Sequence, residues 1–70
     1  MNRDIALRLD GMIKGARGSL DMIAHHMQAH LSEEEFVRYR LAVAKSMAEL
    51  FEIASDLYKL YPDIMPDELR

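Results

Sequence analysis

There is no cysteine in this 70-residue chain. No disulfide can staple the fold, and no thiolate is present to attack a substrate or grip a metal. Long apolar runs are also missing: no stretch approaches the roughly 20 residues needed to span a bilayer. Arg3 is accompanied by Asp4 and Asp10, with no continuous apolar core behind them, so no secretory leader is expected. A basic excess is absent too. Nine Lys and Arg residues face twelve Asp and Glu, a formal net charge of −3, which argues against a dedicated nucleic-acid binder. The expected setting is the cytoplasm, without a membrane partner.

Half of the residues are hydrophobic, enough for a folded chain. A chain this short has difficulty offsetting the entropy of ordering itself. Lacking disulfides, it is left with metal binding, oligomerisation or very efficient packing.

The strongest local signal is Leu31-Ser32-Glu33-Glu34-Glu35-Phe36. Ser32 is a good N-cap, and Glu35 stands three residues on to close a capping box. Leu31 and Phe36 take the staple positions, while Glu33 and Glu34 favour the positive end of the helix dipole. A helix is therefore predicted over residues 33–60, ending where Tyr61 precedes Pro62. Along it Phe36, Val43, Met47, Leu50, Ala54, Leu57 and Tyr61 recur at steps of three and four, which draws one stripe.

A first helix is predicted over residues 4–30, starting near Asn2 or Arg3, with a stripe of Leu9, Ile13, Ala16, Leu20, Ile23 and Met27. Gly11, Gly15 and Gly18 each cost roughly 1 kcal/mol in a helix interior. A continuous helix is favoured, with a break near Gly15 to Ser19 as the alternative. Only Leu31 and Ser32 separate the helices, so they must fold back antiparallel. In that register Met27 faces Phe36, Leu20 faces Val43, Ile13 faces Leu50 and Leu9 faces Ala54. Ile23 would meet Arg40, whose stem can lie on the seam while its head reaches water. Beyond Pro62 the tail offers one further helical turn at Pro66-Asp67-Glu68.

Two helices share one seam, yet helix two carries a second apolar stripe of Leu41, Ala44, Ala48, Phe51, Ser55 and Tyr58, with Ile53 and Leu60 on its other flank. Gly11, Gly15, Gly18 and Met22 follow each other along helix one. An apolar stripe that long exceeds what monomers ordinarily expose. The fold class expected is all-α: an antiparallel two-helix hairpin dimerising into a four-helix bundle through Leu41, Ala44, Ala48, Phe51 and Tyr58. A helix of another protein in the same groove is the rival occupant.

Chemistry-bearing patterns are sparse. His26 and His30 are four apart and share a helix face, so they could grip a transition metal, with His25 and the Glu33–Glu35 run nearby. Histidines at a helix C-terminus also interact favourably with its dipole, and no His-Glu-x-x-His or carboxylate-x-x-His element accompanies them. Gly11 to Gly18 lacks the ending of a phosphate loop. Asp10 with Lys14 and Arg17 with Asp21 read as solvated i,i+4 pairs. No serine stands in an activating context. The expectation is a non-enzymatic interaction or regulatory module without a cofactor, acting as a homodimer. The alternatives are a metal- or ligand-binding protein using His26 and His30, and a helical nucleic-acid accessory factor.

Overall fold

The computed structural model describes residues 1–69. Two 28-residue helices, α1 (Arg3–His30) and α2 (Glu33–Leu60), pack against each other, followed by two short 3₁₀ turns, Pro62–Ile64 and Asp67–Leu69. The expected hairpin is present, and α1 passes through all three glycines without a break. Each end has an identifiable cause. Asn2 Oδ1 accepts from the Ile5 N–H at 3.0 Å to start α1, and the Leu31 N–H closes it on the Met27 carbonyl at 2.8 Å. The α2 capping box forms in full: the Glu35 N–H donates to Ser32 Oγ at 3.2 Å and the Ser32 N–H to the Glu35 carboxylate at 3.0 Å. These Ser32 contacts, the backbone one foremost, hold the Glu35 carboxyl below its ordinary value. Pro62 then stops α2 by opening the first 3₁₀ turn.

The turn expected after Pro66 is present at Asp67–Leu69, and a further turn, opened by Pro62 itself, precedes it and folds back on the hairpin. Ile64 is buried there with Ala6, Ile13, Ala54, Leu57 and Tyr58. The Arg3 Nε pairs with Asp63 at 2.5 Å, and the Tyr61 hydroxyl donates to the Met1 carbonyl at 2.7 Å. At this end the chain has three layers. Toward the loop it has two, and among the described residues there Val43, still 9% exposed, is the one that counts as buried; Leu20, Ala24, Met27, Phe36 and Met47 are only half-buried.

The α2 face falls where its stripe predicts, with Val43, Ala54 and Leu57 buried. The α1 face does so only in part: Ile13 is buried and Leu9, Leu20 and Met27 are half-buried, as its stripe predicts. Ala6 and Asp10 are buried beside Ile13, whereas Ala16 and Ile23 are exposed. The helix is turned so that Asp10 looks inward, a rotation that counting apolar residues alone cannot find. Arg40, expected on the rim of the seam, is exposed.

The molecule is a rod of 44 × 22 × 15 Å with a radius of gyration of 14.7 Å. A compact chain of this length has roughly 11 Å. Its accessible surface of 5366 Å² likewise exceeds the roughly 4,500 Å² typical of a monomer of its 8.1 kDa mass.

Gly15 supplies a direct check on α1. Nothing lies within 4 Å of a Cβ built on it, and its φ is not positive. Gly15→Ala is expected to stabilise the fold by about 1 kcal/mol, read as a rise of roughly 4–8 °C in thermal midpoint. A fall in the midpoint would mean that another backbone approaches α1 at this position.

Candidate association surface

The α2 residues Val37, Leu41, Ala44, Ala48, Phe51 and Ser55 alternate steps of four and three, a heptad seam. The first five are exposed and Ser55 is half-buried, with Leu41 at 57% and Phe51 at 48%. The seam lies roughly a third of a turn around α2 from the face packed on α1. Helices of a four-helix bundle present two such faces to two neighbours.

Tyr58 does not share this exposure. The sequence pattern places it on the same stripe as a dimer contact, but the chain's own residues cover it to 6%. Its hydroxyl donates to Asp10 Oδ1 at 2.5 Å, and Asp10 Oδ2 pairs with Lys14 Nζ at 2.9 Å. Asp10 is 3% exposed, so its pairing with Lys14 is half-buried rather than the solvated contact expected. Both carboxylate oxygens are engaged, which makes the burial of a charge tolerable. Burial first, then the hydrogen bond and charge of Asp10, push the Tyr58 hydroxyl up to about 12; Glu68 adds to this and Arg17 opposes it.

Three clefts border these features. One, beside Tyr58, brings Lys14 and Arg17 together with Asp21 and Glu68, so its charges balance. A second is apolar and lies between α1 and the loop half of the seam, lined by Ala24, Arg40, Leu41, Ala44 and Met47. The third joins the other end of the seam to the tail through Phe51, Ser55, Tyr58, Met65 and Leu69. The second and third therefore flank the same exposed face.

The His26 and His30 rings do come together, with centroids 4.3 Å apart and planes tilted by 42°. Both are exposed. Among the described residues no group of three or more His, Cys, Asp or Glu side chains is placed to hold a metal, so the acidic start of α2 does not complete a site. Among the same residues no helix is long and apolar enough to cross a membrane. No protein-family model, curated protein or solved structure matches the chain.

The Asp10–Tyr58 pair escaped the sequence reading because the two residues are 48 apart. Its one signal was an acid at helical spacing between Ala6 and Ile13.

The raised Tyr58 value fixes an alkaline response. The unfolded chain loses the phenolic proton near the ordinary 10.0 while the folded chain holds it to about 12. The folded state therefore binds more protons in that window, and stability falls as pH rises through it. In ultraviolet titration Tyr58 should ionise late, and Tyr58→Phe should remove that phase. The same variant strips Asp10 of a donor and is expected to cost about 1–3 kcal/mol in denaturant unfolding at neutral pH. A variant as stable as the wild type would show that the pair carries no weight.

Proposed function

We propose that this chain is a non-enzymatic interaction module that works as a homodimer, its hairpins associating through the exposed α2 seam into a four-helix bundle. One observation carries the reading. The Leu41, Ala44, Ala48 and Phe51 stripe stays open to solvent after the hairpin and its tail have made every contact they make. Contiguous apolar surface of that kind marks an association site.

The area agrees in size. The excess over a compact monomer, roughly 900 Å², compares with about 800 Å² contributed by each partner to a standard interface. A helix of another protein is the competing occupant. The second copy is preferred because the loop-side half, two layers deep and without a full core, gains a further layer from an identical rod laid along the seam. The seam is uncharged and, Ser55 apart, apolar, which suits a binding surface.

Sedimentation equilibrium tests the proposal. The wild type should report twice the 8.1 kDa chain mass. Phe51→Glu should weaken association about a hundredfold or more, since each interface loses two buried rings. Helicity of the variant should be retained, because Phe51 lies outside the hairpin's core cluster. A wild type that is monomeric at about 100 µM would remove the homodimer.

A further inference from the structure

Resting on that homodimer, we infer its geometry: α2 of one chain lies antiparallel on α2 of the second copy, with the two-fold axis crossing the seam midway between Ala44 and Ala48. Reversal about that point maps the seam onto itself. Leu41 meets Phe51 of the second copy, Ala44 meets its Ala48, and Val37 meets its Ser55. Two alanine layers at the centre let the helices approach closely, and each large side chain at the ends has a cleft facing it.

Those clefts are already formed. Phe51 of the second copy points at the apolar cleft lined by Ala24, Leu41, Ala44 and Arg40, where the guanidinium can lie on the ring. Val37 of the second copy points at the cleft around Ser55, walled by Phe51, Met65 and Leu69. Knob and hole occur on the same face, as an isologous contact requires. The inward turn of Tyr58 fits this arrangement, because the tail side chains beside it form one wall of the second cleft.

Charge selects the direction. Arg38, Lys45 and Glu52 follow one another seven apart on one flank of the seam, so the antiparallel dimer sets each Arg38 beside Glu52 of the second copy, twice over, against a single meeting of the two Lys45 side chains near the axis. A parallel dimer would instead set Arg40 beside Lys45 of the second copy twice and Glu33 beside Arg38 twice, so that repulsion cancels attraction and no net charge pairing is gained. Arg38 and Glu52 are nearly four turns apart on one helix, so they cannot satisfy each other within a chain.

The absence of cysteine permits a clean orientation measurement. A spin label on Asp56→Cys, an exposed site off the seam, is first checked for wild-type helicity and dimer mass. Antiparallel helices put the two labels about 30 Å apart at 1.5 Å per residue. Parallel helices, with axes 8–10 Å apart, put them within roughly 20 Å. In parallel, Arg38→Glu and Glu52→Arg alone should each weaken the dimer about three- to tenfold. The double exchange should restore wild-type affinity, and the two single variants should prefer each other as a mixed dimer.

A dimer with the short distance, or one in which the exchange fails to rescue, overturns this geometry while leaving self-association intact. A monomeric wild type removes the homodimer itself and this geometry with it.

Discussion

The hydrogen bond from Tyr58 to Asp10 sets the phase of everything else in the hairpin. Apolar side chains on two facing helices tolerate some rotation and sliding. A buried carboxylate does not, since losing its donor leaves an unsatisfied charge. Fixing Asp10 inward rolls α1 so that Ala6 and Ile13 join the core and Ile5, Met12 and Ile23 turn out. Fixing Tyr58 inward ends the open part of the α2 seam near Ser55 and leaves a recess beside it for the tail to wall. One polar contact thus governs both what the core contains and which apolar surface is left over.

The two ends of the rod differ in kind. At the end holding the chain termini, the tail adds a third layer and Leu57 is sealed almost completely. Toward the loop, the helices have only each other, and most of their facing residues stay half-exposed. That gradient is a topological consequence: a hairpin's connection cannot supply an extra layer when it is two residues long, whereas a chain running past α2 can. The capping box compensates locally, holding the start of α2 without any burial.

Much of this was legible in the residues. Ser32 to Phe36 specified the turn and the start of α2 because capping is local chemistry, and Pro62 specified its end. The α2 core stripe was legible because, up to the hydroxyl of Tyr61 at its end, it contains only apolar groups. The α1 face was legible only in part, since its key member is an aspartate, and an acid beside Lys14 reads as a surface pair until a distant tyrosine arrives to share it. For the same reason Tyr58 looked like one more member of the outer stripe. The outer stripe at Leu41, Ala44, Ala48 and Phe51 was readable as a pattern. Its exposure depends on how far the tail reaches, which is a tertiary matter.

The stitching of Arg3 to Asp63 and of Tyr61 to the Met1 carbonyl holds both chain ends at one pole of the rod. Anything joined to either end would issue from that pole, far from the turn at Leu31 and Ser32. The two 3₁₀ turns add their contacts at that pole as well, so the turn at Leu31 and Ser32 stands apart from every tail contact.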